Sequence, residues 1–362
     1  MRSALALGFA LWAGAFGLPA AAQEGVACLQ AQLTDLGHDP GPVDGTMRPA
    51  VRDAAQAWGG GDGFPDLRRR TATSWCREIG IANPDLQTYW PSRAPVTLRA
   101  QSPAGEALLR QSVANVRAYF QEQHGIALAT RVALVGTSDP AFVNPALQEV
   151  LAELGRRPRV RLIDTARLCQ GEKVGGAANR GYMLFCWPDA LEDTAWQAVT
   201  RPELQKVMVH EYTHQVQYAL AADDPARREN GAWLLGPHWM IEGMAELIEW
   251  QFETGIIDAD GTTLFDLQSR ARRSRLMLDD LSVLGTVETS EAYGVARFAT
   301  YLLAQRNGSD ALFDYFRAMG RGASQEAAFQ STFGLSLEAY STLFEDLRRD
   351  YGAARRFGRE GP

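Results

Sequence analysis

Apolar residues recur at helical spacing in the middle of the chain, where Leu109, Val113, Val116 and Phe120 are separated by four, three and four positions. This spacing places their side chains on one face of a helix, and Gly125 is a typical residue to end it. The pattern therefore predicts an amphipathic helix that ends at this glycine.

Two further helical patterns occur near the N-terminus, over residues 26–36 and about 49–58. The segment between them is rich in Gly and Pro and includes an Asp-Gly pair at 44–45, which favours a turn. Residues 23–80 are therefore predicted to form a compact helical domain. A proline-containing linker over residues 81–95 follows it.

Three short apolar runs are typical of strands, at residues 131–135, 159–163 and 181–187. From Pro202 onward the pattern is almost entirely helical, and Pro202 itself suits the first turn of a helix. Strands followed by a run of helices predict an α+β domain, which we place at residues 96–355.

The first 22 residues have the features of a secretory signal: Arg2, an apolar run over residues 4–18 and small residues at 20–22. The apolar run is short for a membrane span, so cleavage is expected. It would leave 362 − 22 = 340 residues, enough for two domains. The signal predicts a protein of the periplasm or the extracellular medium.

Charge argues against nucleic acid as a partner, since the chain has a formal net charge of −7 and no long basic cluster. The short basic runs at 68–70 and 272–273 are typical of solvated surface. After the signal, no segment of the sequence is long and apolar enough to predict a membrane span.

Four cysteines are present in a chain expected to be exported, and four cysteines allow three disulfide pairings. Pairing Cys28 with Cys76, and Cys169 with Cys186, keeps each bond within one predicted domain. Thiolate ligation of zinc is the alternative. No Cys-x-x-Cys occurs, however, and an oxidising compartment favours disulfides.

The candidate chemistry centres on residues 210–214, His-Glu-Tyr-Thr-His. On a helix, His210 and His214 project from nearly the same side and can bind one metal ion, while Glu211 faces the remaining coordination position. A carboxylate there can accept a proton from water during metal-assisted amide hydrolysis. Two histidines in a helical core are the structural alternative, but Glu211 would be costly to bury as an anion without a cation.

A catalytic zinc site normally has three protein ligands, so a third is expected downstream. Glu242 and Glu246 lie one helical turn apart among apolar residues. This favours Glu242 as the ligand and Glu246 as the acceptor that orients a ligand histidine. The alternative is a pair of solvated glutamates, which is the interpretation we prefer for Glu249. His238 is a competing third ligand, but a Gly-Pro pair before it places it where the helix has barely begun.

The motif at 210–214, followed by the tryptophan-containing segment 239–246, resembles the gluzincin superfamily of zinc metallopeptidases. Within it, the closest resemblance is to peptidase MA-like, aminopeptidase-related proteins, and it covers roughly residues 96–350. It implies a mixed sheet followed by helices, one Zn²⁺ per chain, and Glu211 as general base. It implies a ligand set of His210, His214 and Glu242. The gap between the second histidine and this glutamate is long, which indicates an inserted loop.

Two further segments carry the same resemblance. Residues 291–294, Glu-Ala-Tyr-Gly, resemble the aminopeptidase segment whose tyrosine stabilises the tetrahedral oxyanion, which implies a catalytic role for Tyr293. Packing at a helix start is the alternative. The glycine pair 175–176 and the strand at 181–187 resemble the edge strand along which these enzymes bind an extended peptide.

The N-terminal domain resembles the small three-helix peptidoglycan-binding module, through Leu-Gly at 36–37, a Pro-Gly loop and the Asp-Gly pair. Val51 stands where that family usually has threonine, and Trp-Gly at 58–59 replaces its phenylalanine-glutamine. Binding to peptidoglycan and packing as a helical cap therefore both remain open.

These features predict an exported zinc metallopeptidase that acts on a peptide or protein substrate, with peptidoglycan as a further candidate partner. A second hypothesis is a non-catalytic peptidoglycan-binding protein whose zinc site is structural or degenerate. A third keeps the enzyme and takes the stem peptides of the cell wall as its substrate.

Overall fold

The computed structural model describes residues 20–58, 72, 75, 76, 79, 96–128, 132–154, 168–169, 174–188, 194–221, 228–229, 232–233, 235–255 and 261–359. Most of the predicted signal, the whole predicted linker and the predicted strand at 159–163 lie outside these residues. Among the residues that the structure describes, no helix is both long and apolar enough to cross a membrane.

The N-terminal region contains the helices α1 (Ala20–Asp35) and α2 (Pro49–Trp58). Cys28 on α1 forms a disulfide with Cys76, as predicted, with 5.8 Å between the Cα atoms. Leu29, Leu33, Val51 and Trp75 are among the buried residues of a small core around this bond. Residues 72, 75, 76 and 79 are helical, and the rest of the predicted third helix lies outside the described residues.

The loop between α1 and α2 is held by the buried side chain of Gln30. Its Oε1 accepts hydrogen bonds from the backbone N–H groups of Asp44 (3.1 Å) and Gly45 (2.9 Å), and its Nε2 donates to Thr46 O (3.2 Å). Gly45 has a φ of 71°, a left-handed conformation that explains glycine at this position. The Asp-Gly turn predicted from the sequence is therefore anchored by a side chain of helix α1.

A four-stranded mixed sheet follows, made of β1 (Val96–Ala100), β2 (Val132–Thr137), β3 (Gly175–Asn179) and β4 (Tyr182–Cys186). The strand order is β1-β2-β4-β3, with β1, β2 and β4 parallel and β3 antiparallel to β4. Helices α3 (Pro103–His124) and α4 (Pro140–Glu153) pack against it. Helix α3 ends at Gly125, as the apolar spacing predicts, with a φ of 63°.

The second predicted disulfide, between Cys169 and Cys186, is also present, with 5.1 Å between the Cα atoms. It ties the end of β4 to the chain just before β3. Two disulfides are consistent with the predicted export of the protein.

Helix α5 (Thr194–Leu220) begins eight residues earlier than predicted. Pro202 was expected in its first turn, which is wrong, because Pro202 lies inside the helix. A proline in this position removes one backbone hydrogen bond to the preceding turn. The following turns pack on α3, β3 and the next long helix, and this packing outweighs the local cost.

After α5, the short strands β5 (Arg228–Glu229) and β6 (Ala232–Trp233) pair within the predicted inserted loop. The chain is then mostly helical, as predicted, in the order α6 (His238–Thr254), α7 (Gly261–Arg273), a 3₁₀ turn (Asp279–Leu281), α8 (Ser290–Asn307), α9 (Asp310–Gly320), α10 (Gln325–Phe333), α11 (Leu337–Leu347) and α12 (Tyr351–Arg359). The predicted order of a strand region followed by helices is confirmed, and the finer expectation of a gluzincin arrangement stays a prediction.

Helices α6 and α8 approach each other closely at Gly243. A Cβ atom on that residue would lie 2.3 Å from Ala296 O, far inside normal contact. Glycine directly after Glu242 therefore has a packing reason: it lets α8 lie against the helix that carries this glutamate.

Candidate metal centre

The two histidines of the 210–214 motif lie one turn apart on α5, with both side chains largely buried. Their rings meet edge to face, with centroids 5.0 Å apart. The adjoining face of the helix is held in the main core by Leu204, Met208, Val209, Tyr212 and Val216. As the spacing predicts, the two imidazoles share one side of α5.

The Nδ1 atoms of both imidazoles face hydrogen-bond acceptors. Nδ1 of His210 lies 3.1 Å from Glu249 Oε2, and Nδ1 of His214 lies 2.9 Å from Gln217 Oε1. Gln217 Nε2 donates to Ile241 O (2.9 Å), which fixes Oε1 as the atom turned to His214. In the neutral form of each ring the proton is therefore on Nδ1, and Nε2 is the atom that faces the site and can bind a metal.

Glu242 on α6 faces these two Nε2 atoms. Its Oε2 lies 3.3 Å from Nε2 of His210, and its Oε1 lies 3.6 Å from Nε2 of His214. Burial raises the pKa of Glu242, but the charges and N–H groups of the surrounding histidines lower it well below its usual value. The carboxylate is therefore ionised and directed at the two imidazoles.

The donor set of His210, His214 and Glu242 fits a metal ion. One ligand atom from each residue lies within 4.8 Å of the others. Ligands about 2.1 Å from a tetrahedral zinc are separated from one another by about 3.4 Å. The separation of 3.3 Å between Glu242 Oε2 and His210 Nε2 is close to this value, and so is the separation of 3.6 Å between the other carboxylate oxygen, Oε1, and His214 Nε2. Two imidazoles and a carboxylate are also a donor set that zinc accepts in catalytic sites.

The carboxylate of Glu211 lies beside β3, where glycine leaves room for it. A Cβ atom on Gly176 would lie 2.8 Å from Glu211 Oε1 and 2.4 Å from Val207 Cγ1. Burial raises the pKa of Glu211, and the charges of the two motif histidines oppose this shift. The side chain is therefore a buried carboxyl with an increased affinity for a proton.

Gln215 fixes α5 to the β3–β4 hairpin directly beside the motif. Its Oε1 accepts from Gly181 N–H (2.8 Å), and its Nε2 donates to Asn179 O (2.8 Å) and Tyr182 O (3.1 Å). These three hydrogen bonds from one buried side chain fix the position of α5 along the β3–β4 hairpin. The position of Glu211 beside Gly176 follows from this attachment.

The acceptor nearest to His210 is Glu249, whereas Glu246 was assigned this place from the sequence. Glu246 Oε1 lies 3.9 Å from His210 Nδ1, and its Oε2 lies 3.5 Å from Arg297 Nη1. Glu249 was expected to be solvated, which is wrong, because its side chain is only 13% exposed and also contacts Lys206 Nζ at 3.4 Å. The crossing of α5 over α6, which the sequence does not encode locally, decides which helical turn faces His210.

His238, the competing third ligand, also lies beside Glu242. Its Nε2 is 3.4 Å from Glu242 Oε1, and its Nδ1 accepts a hydrogen bond from Val287 N–H (3.1 Å). It is the first residue of α6, in agreement with the helix start expected after the Gly-Pro pair. Among the described residues, the group around Glu242 with metal-binding geometry consists of His210, His214 and Glu242, and His238 is not part of it.

Tyr293, in the first turn of α8, has its ring 6.1 Å from that of His210, edge to face. Burial raises the pKa of its phenol, and the nearby carboxylates, first of all Glu242 and Glu211, raise it further. The hydroxyl therefore keeps its proton and can only act as a hydrogen-bond donor to an anion. The contact of α8 with α6 at Gly243 thus brings Tyr293 to the candidate metal centre, and its catalytic role stays a prediction.

Three residues of the site were missed by sequence reasoning: Gln215, Gln217 and Glu249. The two glutamines are buried on the helix that carries the motif, and polar residues one to three positions after a ligand histidine are a usable signal for such contacts. For Glu249, a third acidic residue on the same helix as Glu242 and Glu246 is a weaker signal, because its direction depends on helix packing.

Neither a scan against protein-family models nor searches of curated proteins and of solved structures find a match to this chain.

Proposed function

We propose that this chain is an exported zinc metallopeptidase that hydrolyses peptide bonds. The observation that carries the proposal is the hydrogen bonding of His210 and His214. Each directs its Nδ1 to an acceptor, so Nε2 is the ring atom left to bind a metal, and Glu242 faces both Nε2 atoms. This is the arrangement that a zinc site with three protein ligands and one open position requires.

Zinc, when bound, supplies a Lewis acid that polarises a carbonyl and lowers the pKa of water. In the proposal, Glu211 accepts the proton of the attacking water and delivers it to the leaving amine. Its burial supports this role, since a raised pKa suits a group that must both take and return a proton. Tyr293 donates a hydrogen bond from its phenol hydroxyl to the oxygen on which negative charge develops.

The proposed substrate is a peptide or protein in extended conformation. Among the described residues, β3 is paired only with β4, so its other edge can accept a peptide strand. Gly176 on this strand lies against Glu211, which places the same edge beside the proposed general base. These contacts support a substrate bound along β3. Attachment to peptidoglycan through the N-terminal domain stays a prediction from the sequence.

The competing hypothesis, a binding protein with a closed structural zinc site, requires a fourth protein ligand. Among the described residues, the group around Glu242 that has metal-binding geometry consists of His210, His214 and Glu242 alone. This favours an open site and therefore the enzyme.

The Glu211→Gln variant tests the proposal. It should bind zinc as the wild type does, with an unchanged melting temperature, and lose about 10²- to 10⁴-fold in turnover, because the amide cannot accept a proton. Zinc is measured by elemental analysis, and turnover by mass spectrometry on casein, an unfolded-peptide mixture and purified cell-wall stem peptides. Glu106→Gln, which makes the same exchange at an exposed glutamate of α3, is the matched control. Equal turnover in the Glu211 variant and the control would contradict the proposed mechanism.

A further inference from the structure

The hydrogen bonds of His238 are the reverse of those of the two motif histidines. Its Nδ1 lies 3.1 Å from the backbone nitrogen of Val287. A backbone N–H can only donate, so Nδ1 of His238 must accept and carries a lone pair. In the neutral imidazole the proton is therefore on Nε2, whereas His210 and His214 carry theirs on Nδ1.

The protonated Nε2 of His238 is directed at Glu242. It lies 3.4 Å from Oε1, at the long end of the hydrogen-bond range. A ring nitrogen that carries a proton has no lone pair for a metal. Ligation by Nε2 would move the proton to Nδ1, where it would face the N–H of Val287, and this arrangement is repulsive.

The ring of His238 has one permitted orientation. Its side chain is only 8% exposed, and its own backbone N–H donates to Ser282 O (3.0 Å), so the residue is bonded to both ends of the turn 282–287. Rotating the ring would leave the buried N–H of Val287 without its acceptor, at a cost of about 1–3 kcal/mol. The Nε2 proton is therefore held in place beside Glu242.

We propose that His238 is a positioning residue, which acts through Glu242 and is not itself a metal ligand. Its Nε2–H holds Oε1, which leaves Oε2, 3.3 Å from His210 Nε2, as the oxygen offered to the metal. The carboxylate then binds through one oxygen and does not rotate between two. The inference rests on the proposed zinc site and adds a residue to it that no ligand motif identifies.

Two conservative variants separate the donor function from the turn contact. In His238→Asn, the side-chain oxygen occupies the position of Nδ1, so the bond from Val287 N–H can form, but the donor to Glu242 is lost. In His238→Gln, the side-chain NH₂ occupies the position of Nε2, so the donor to Glu242 is kept and the turn contact is lost. Zinc affinity is measured for both variants by competition with a chromophoric chelator, together with the melting temperature of the metal-free proteins.

The Asn variant should bind zinc about 10- to 100-fold more weakly than the wild type, with a similar melting temperature, and the Gln variant should retain most of the affinity. Wild-type affinity in the Asn variant would overturn the inference. A loss in the Gln variant equal to that in the Asn variant would also overturn it, since the imidazole itself would then be required as a ligand.

The position of the proton is tested independently of zinc on the metal-free protein. Long-range ¹H–¹⁵N spectra of histidine-labelled protein distinguish the two ring tautomers, and the chain has only five histidines. The signal lost in His238→Gln assigns the residue. Protonation on Nε2 is expected, and protonation on Nδ1 would overturn the inference. A wild type that binds no zinc would contradict the proposed function and leave this tautomer test in force.

Discussion

The N-terminal domain and the candidate metal centre both contain acidic side chains, but the two regions differ in how the negative charge of these side chains is balanced. In the N-terminal loop, Asp44 accepts hydrogen bonds from Arg48 (2.7 Å) and from the backbone N–H of Thr46 (2.9 Å). Its carboxylate is fully used in holding the loop, and the region needs no ligand to balance it.

The metal centre has more negative charge than its own cations neutralise. The largely buried carboxylates are Glu211, Glu242, Glu246 and Glu249, and the neighbouring permanent cations are Lys206 and Arg297. With both imidazoles neutral the formal sum is −4 + 2 = −2, which is the charge that one divalent cation balances. Burial lowers the pKa of His210 and of His214, but the surrounding carboxylates raise it above the usual value, so protons on these rings balance the charge when no cation is bound. Burial raises the pKa of Glu211 and of Glu246, as expected for carboxyl groups whose compensation is incomplete. The comparison therefore favours a bound cation at the candidate metal centre and indicates no need for one in the N-terminal loop.

Removing the disulfide of the N-terminal domain should produce the largest effect and separate the two regions. The bond closes a loop of 48 residues, so Cys28→Ala with Cys76→Ala should lower the free energy of unfolding of this domain by about 4 kcal/mol. Hydrogen exchange resolved by segment should show lost protection over residues 26–58, while the zinc content is unchanged. Loss of zinc in parallel would contradict the independence of the two regions.

The second disulfide supplies the matched control for this experiment. Cys169→Ala with Cys186→Ala opens a loop of 17 residues, for which about 3 kcal/mol is expected. Because this bond ends on β4, protection should be lost at the β3–β4 hairpin and not in the N-terminal domain.

Adding a methyl group at Gly176 should damage the metal centre without touching a ligand. The new Cβ atom would come within 3.0 Å of Glu211 and Val207, so the Glu211 carboxylate must move. Displacement of a catalytic group by about 1 Å can lower activity by about 10²-fold. Turnover of the Gly176→Ala variant on casein should fall by this order, with zinc content as in the wild type. Gly294→Ala, where the nearest atom would be 3.9 Å away, is the control and should keep full turnover.

Acid should destabilise the N-terminal domain in a way that depends on Asp44. Hydrogen bonds from Arg48 and from Thr46 hold the pKa of Asp44 well below its usual range. A carboxyl whose folded-state pKa is depressed contributes stability above its unfolded-state pKa of about 3.9, and this is lost as the pH falls toward the folded-state value. Urea unfolding of wild type between pH 6 and pH 2 should therefore show a decrease that is smaller in Asp44→Asn. Equal slopes would contradict the role given to this side chain.

The elements that local sequence encodes were predicted well. The helix predicted at 26–36 corresponds to α1, which begins six residues earlier, at Ala20, within the predicted signal, and the helix predicted at 49–58 corresponds to α2. Glycine and proline residues mark the loop between them. The end of α3 follows from Gly125 in the same way. The start of α5 was not predicted correctly, because packing of the helix on its neighbours keeps Pro202 within it.

At the metal centre, fixed spacing within one helix made His210 and His214 predictable as a pair that shares a side. The place of Glu242 facing both histidines agrees with the prediction made from two carboxylates in an apolar segment. The choice between Glu246 and Glu249 as partner of His210 was not, because these residues are three positions apart and the crossing of two helices decides between them. The tautomer of His238 was also beyond the sequence, since it depends on a backbone N–H 49 residues away.

The most direct test of the central claim is the metal content of the purified protein, measured by elemental analysis on the wild type and on Glu242→Ala. Glu253→Ala, an exposed glutamate on the same helix, serves as the control. We predict about one zinc per chain in the wild type and in the control, and its loss in Glu242→Ala, because two imidazoles alone hold zinc weakly. A wild type that binds no zinc after reconstitution would contradict the account, and so would a Glu242→Ala variant that binds zinc as tightly as the wild type.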